Sequence, residues 1–250
     1  MLKKFRTLLP AIFLFTLVFT TDIYPQVLPK VTIGFDQSKA PEDAAVTLEI
    51  IFLITVLTLA PSILMMMTSF TRIVIVLSFV RRALGTQTLP SNQIVIGLSL
   101  FLTLFVMMPV FEKMNDNAFQ PYLAEKIDYK TALKEAMNPI RAFMMRQVNE
   151  KDVALFVRIS KSPIPKNPEE LSNVVLIPAF ITSELKTAFI IGFIIYIPFL
   201  VIDMVVASLL MSMGMMMLPP MMVSMPLKLI LFVLVDGWHL IVKELVISFA

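Results

Sequence analysis

Four stretches of the chain are long and mainly apolar: residues 48–67, 93–111, 187–213 and 227–249. Each is close to the roughly 20 residues that a helix needs to cross a bilayer. The polar residues fall between them in two unequal blocks. Residues 68–92 contain Arg72, Arg81 and Arg82 and no acidic residue. Short loops rich in arginine stay on the cytoplasmic side, so this connection is expected there. Residues 112–186 hold most of the charge, with both signs mixed. Apolar positions within 129–159 recur at helical spacing: Leu133, Met137, Ile140 or Met144, Val148, Leu155 and Phe156. Asn138-Pro139 is expected to break that helix in two. Residues 161–170, with Pro163, Pro165 and Pro168, read as a loop, and Asn167-Pro168-Glu169-Glu170 as a helix start. The pattern predicts an all-α membrane protein of helical hairpins with a small helical periplasmic insert.

The N-terminus reads as a secretory signal. Lys3, Lys4 and Arg6 precede an apolar stretch over residues 8–19, too short for an ordinary span. Cleavage is expected between Thr20 and Gln26, with an uncleaved anchor as the alternative. The predicted organisation is a signal peptide (1–21), an extended exported segment (22–47), a first hairpin with its basic cytoplasmic loop (48–111), a periplasmic helical domain (112–186) and a second hairpin (187–250).

Composition sharpens the class. Hydrophobic residues make up 58% of the 250 and charged residues only 16%, against roughly 25% charge in soluble domains. No Lys/Arg block interleaved with aromatics suggests nucleic acid. With no cysteine and one histidine, His239, neither a thiolate nor a histidine metal site can be built. No G-x-x-x-x-G-K run supports nucleotide binding. The chain is expected to be neither an enzyme nor a cofactor protein.

Eight of the 19 methionines lie between Met211 and Met225, in a run that also holds Gly214, Pro219, Pro220 and Pro226. Proline rules out a plain helix through it, and non-helical backbone at membrane depth survives only inside protein or along a cavity. Thioether side chains are flexible and re-pack around varied partners. The run therefore reads either as a compliant seal in a protein-conducting channel or as a buried hairpin filled with methionine. Gly214 is expected to be a hinge where helix gives way to loop.

Asp203 is the only charge between Lys186 and Lys228, and Asp236 interrupts the fourth segment. A charge in apolar surroundings is a pairing or functional site. Ion pairing with Arg72, Arg81 or Lys228 is favoured over proton relay, because unpaired burial is costly. Two aspartates also raise the question of an aspartyl membrane protease, but the Val235-Asp236-Gly237-Trp238 context does not carry that chemistry.

Several stretches resemble one family closely. They are residues 67–79 (MTSFTRIVIVLSF), 82–87 (RALGTQ), 90–93 (PSNQ), 199–205 (FLVIDMV), 214–217 (GMMM) and 228–238 (KLILFVLVDGW). Together they resemble the FliP family of the type III secretion export gate, and the signal peptide favours its flagellar branch. The resemblance implies a homo-oligomer of five copies, assembled with FliQ and FliR into a pore-containing helical complex in the inner membrane at the flagellar basal body. It implies contact with other export components and with unfolded flagellar substrates. It also implies that much of the assembly stands on the periplasmic side of the lipid, and that Met215, Met216 and Met217 form a gasket around the closed pore. Two other functions compete with the conduit: an assembly scaffold without a pathway, and a small-solute channel subunit.

Overall fold

The computed structural model describes residues 41–86, 89–160, 167, 170–215 and 218–249. The expected signal peptide and most of the exported segment lie outside these residues. The chain divides into two units, residues 1–54 and 55–250. The described part of the first is the beginning of α1 (Pro41–Met66), which starts earlier than the apolar stretch that predicts it. Pro41-Glu42-Asp43 is a favourable helix start, since proline suits the first turn and acidic residues suit the positive end of the dipole. Residues 41–47 are therefore helical where extended chain is expected.

The second unit is all-helical among the described residues. After the end of α1 come α2 (Phe70–Ala83), α3 (Asn92–Met114), a π-helical turn (Asn115–Phe119), the short α4 (Gln120–Leu123), α5 (Tyr129–Gln147), α6 (Glu150–Ser160), α7 (Asn173–Ser212), α8 (Pro220–Leu234) and α9 (Gly237–Ile247).

The expected basic loop is instead the helix α2, and it lies at the centre. Ile73, Val76, Leu77, Val80 and Ala83 are buried at spacings of three and four, the stripe that seats a helix against neighbours. Ser69 sits at its start and Gly85, at φ +76°, ends it. α2 runs parallel to α7. Arg72 meets Glu184 at one end, and Phe79 meets Phe189 edge-to-face at 5.5 Å further along. A Cβ on Gly192 would come within 2.6 Å of the Phe79 ring, so glycine makes this approach possible.

Among the described residues two helices are long and apolar enough to cross a membrane: Asn92–Leu123, which joins α3, the π turn and α4, and Asn173–Ser212. Thr47–Ile63 and Pro220–Leu234 are shorter apolar helices. The fourth apolar segment is not one helix. It breaks at Val235 and Asp236, where Asp236 takes left-handed backbone at φ 50°. Aspartate tolerates that region better than branched residues do. Gly237 then lies against the Phe232 ring, with no room for a Cβ, and Trp238 packs edge-on to Phe232 at 5.3 Å. Beyond this corner α9 and α7 wall one apolar cavity, lined by Leu240, Ile241 and Leu245 of α9 and Ile191 and Ile195 of α7.

α7 has 40 residues, about 60 Å of helix, and begins 14 residues before Thr187. Its cap is Ser172, whose hydroxyl accepts from Val174 N–H at 3.3 Å, rather than the Asn167–Glu170 run. The expected break at Asn138-Pro139 is also absent. α5 continues through Pro139, which is buried in the packing face beside Ile140, Phe143 and Met144. That burial offsets the one backbone bond proline cannot make. The chain turns instead at Val148, in extended backbone. Nor is 112–186 packed as a separate body. Phe143, Met144 and Val157 share one buried core with Leu77, Met107, Val110, Leu176 and Phe180.

Candidate functional site

The methionine-rich connection between α7 and α8 is built from the backbone outward. α7 ends at Ser212, and Gly214 follows at φ +76°. Gly214 N–H donates to Met211 O at 3.0 Å and Met215 N–H to Leu210 O at 3.0 Å. This paired capping pattern is the Schellman motif, and it needs left-handed backbone at the position Gly214 holds. Gly214 is thus a helix terminator with a defined conformation. Pro219 then leads into α8. Of the three expected gasket residues, Met215 is described and exposed, while Met216 and Met217 lie outside the described residues. Met211, Met213, Met221 and Met222 flank the loop with their side chains exposed.

Below the loop the two helices are tied together. Lys228 Nζ of α8 lies 2.5 Å from Asp203 Oδ2 of α7. The Ser224 hydroxyl donates to Asp203 Oδ1 at 2.6 Å. Lys228 is 2% exposed and Asp203 34%, so the cation is the group withdrawn from solvent. Phe199 and Phe232, one turn along each helix from the pair, meet with their rings tilted at 46° and 6.3 Å apart. Asp203 stands nine residues before Ser212, about 13 Å along the helix from the loop. The C-terminal end of α2 reaches the same region, since a Cβ on Gly85 would touch Met225 at 3.7 Å.

The other expected ion-pair residues go elsewhere. Arg72 pairs with Glu184, a residue passed over in the sequence because it sits just before the third apolar stretch. Nη2 lies 2.5 Å from Oε1 and Nε donates to Oε2 at 2.8 Å. Arg72 also donates to Gln147 Oε1, Ser248 O and Ser248 Oγ at 2.8–3.0 Å, and its guanidinium covers the Phe249 ring at 3.9 Å. Arg81 donates to Asn92 Oδ1 at 2.5 Å and ties the end of α2 to the start of α3. Asp236 is exposed and forms no ion pair among the described residues. Its part is the corner between α8 and α9. The signal that could have found Glu184 is its own charge, one helical turn from Ala188 on an otherwise apolar face.

Beside Glu184, Ser183 donates to Asp152 Oδ2 at 2.6 Å and accepts from Asn149 N–H at 3.0 Å, which fixes α6 on α7. Among the described residues no three His, Cys, Asp or Glu side chains come together as a metal site.

The FliP family model matches residues 53–245. A flagellar biosynthetic protein FliP of Bacillus subtilis is 54% identical over 87% of this chain and 98% of its own length. Proteins of the same name from Pectobacterium carotovorum and Caulobacter vibrioides are 53% and 54% identical, over 81% and 80% of this chain and 79% and 76% of theirs. With apolar helices long enough for a membrane and relatives of this similarity along most of its length, the chain belongs to the FliP family.

Proposed function

We propose that this protein is a core subunit of the flagellar type III export gate and forms part of the conduit for unfolded substrates across the inner membrane. The observation that carries the reading is the α7–α8 hairpin. Its α7 stem ends at the Gly214 cap, its two stems are held together by Asp203, Ser224 and Lys228, and the sequence between them is rich in apolar, flexible side chains. In a ring of copies, five by family resemblance, Met215, Met216 and Met217 from each would pool into a narrow apolar constriction. Such a constriction blocks ions by dewetting. Unbranched thioethers part and close again around whatever chain threads through.

The exposed apolar faces of α3, α7 and α8 are the surfaces offered to lipid, to further copies and to FliQ and FliR. Residues 112–172 stand on the periplasmic side, and the α7–α8 loop on the side opposite. In this arrangement the part of α7 before Lys186 projects from the lipid, which accounts for a helix twice as long as a bilayer needs.

A photocrosslinking residue in place of Met216, in cells making a stalled export substrate, tests the reading. Adducts to the substrate are expected. Adducts only to copies of this protein or its neighbours, with export active, would remove the loop from the pathway and leave an assembly scaffold.

A further inference from the structure

Between Asp203 and Ser224 the only polar side chains are Ser208 and Ser212. Both hydroxyls turn back onto their own helix, donating to Val205 O at 2.9 Å and Leu209 O at 2.8 Å. Their protons are thus used within the helix, and only their acceptor lone pairs are left to water on an otherwise apolar stretch. What that stretch exposes is sulfur. In the single chain Met213 and Met222 are each 71% exposed, with Met211 and Met221 also exposed, whereas Met67, Met107 and Met144 are buried in the core.

We propose that this rim is an oxidative modification site, with Met213 and Met222 as the preferred targets of peroxides, and that sulfoxide formation there breaches the apolar closure. The second half of the proposal rests on the closure argued above. The thioether sulfur attacks one peroxide oxygen; the S–O bond forms as the O–O bond breaks, and the departing hydroxide takes a proton to leave as water. The sulfur is oxidised by two electrons and the peroxide reduced. No catalytic group is required, so exposure of the sulfur sets the order of reaction. The product is a polar sulfoxide in place of a flexible apolar side chain. The sulfoxide oxygen is a much stronger acceptor than the thioether sulfur it replaces, so it recruits water, and a wetted constriction conducts ions.

The experiment uses membrane vesicles carrying the assembled complex, treated with hydrogen peroxide. Peptide mass mapping reads oxidation at each methionine, and a fluorescent dye reads ion leak. Met213 and Met222 are expected to oxidise several times faster than Met107 and Met144. The leak is expected to rise with them, to fall after methionine sulfoxide reductases A and B, and to be blunted in the Met213→Leu/Met222→Leu variant. Met108→Leu, at an exposed methionine of α3 away from the loop, is expected to give no protection. Equal rates at rim and core sites would overturn the modification site. An oxidised rim without leak, in vesicles that do leak when Met215, Met216 and Met217 are alanine, would overturn the coupling and leave the closure standing. If the alanine vesicles are also tight, both readings fall.

Discussion

Arg72 and Glu184, 112 residues apart in the chain, face each other through two hydrogen bonds of 2.5 and 2.8 Å with 3% and 0% of their side chains exposed. The remaining N–H groups of the guanidinium reach Gln147 and Ser248, so one side chain joins α2, α5, α7 and the end of the chain. A buried arginine that is fully hydrogen-bonded is costly to disturb from either side. Removing one partner of such a pair typically costs about 3–5 kcal/mol, because the other charge is left buried alone. Arg72→Ala and Glu184→Ala are each expected to lose most of the folded protein, read as thermal stability of the detergent-purified protein. Arg72→Lys should rescue little, since an ammonium cannot reproduce the fork. Stability near that of the unsubstituted protein in either alanine variant would show that the pair is not a keystone.

The Asp203–Lys228 pair calls for a different expectation. Asp203 is partly exposed while Lys228 is not. Asp203→Ala strands a buried cation and loses its serine partner as well, whereas Lys228→Met leaves a carboxylate that can still meet solvent and Ser224. The aspartate variant should therefore be the more destabilised, by about 1–3 kcal/mol relative to the lysine variant. The double change Asp203→Ala/Lys228→Met should be milder than Asp203→Ala alone. A double-mutant cycle on thermal stability reads the coupling, and additive effects would show that the pair contributes nothing as a pair.

Gly214 carries a backbone prediction. An added Cβ meets nothing within 4 Å, so space is not the constraint; the φ of +76° is. Gly214→Ala should cost about 1 kcal/mol, the left-handed penalty for an L-residue, and Gly214→Asn less. The effect is expected to be local, as faster proteolysis between α7 and α8 with little change in global melting. Equal protease resistance in all three proteins would argue against a left-handed cap at this position.

What was legible in the sequence follows from which signals are local. Long apolar runs marked α1, α3 and the later parts of α7 and α8, and the Asp203–Lys228 juxtaposition lay within reach because both residues interrupt apolar stretches. α2 was hidden by its own arginines. Arg72, Arg81 and Arg82 read as a cytoplasmic loop, yet the buried stripe of Ile73, Val76, Leu77 and Val80 runs between them. With Arg72 neutralised by Glu184, only Arg81 and Arg82 remain to bias that connection toward the cytoplasm. The Asp236 corner was hidden for the opposite reason. Its charge was visible, but its φ of 50° is a backbone property, and it goes with the close seating of Gly237 on the Phe232 ring.

Asp128, at the start of α5 and outside both long apolar helices, supplies the pH dependence. Its carboxylate accepts a hydrogen bond from Thr131 N–H at 3.4 Å, and hydrogen bonding from Thr131 holds its pKa below the ordinary aspartate value. A carboxyl whose pKa is lower folded than unfolded stabilises the folded state above the unfolded pKa. That contribution is lost as pH falls through the folded value. The first turn of α5 should therefore be held at neutral pH and loosen below about pH 4, read as faster hydrogen exchange at Thr131 than at amides in the middle of the helix, each corrected for intrinsic rate. Asp128→Asn keeps a capping oxygen without a charge, so its exchange at Thr131 should not change across that range. Asp128→Ala should exchange quickly at every pH. A Thr131 amide in the unsubstituted protein that stays equally protected from pH 7 to pH 3 would show that the charge on Asp128 does not hold the turn.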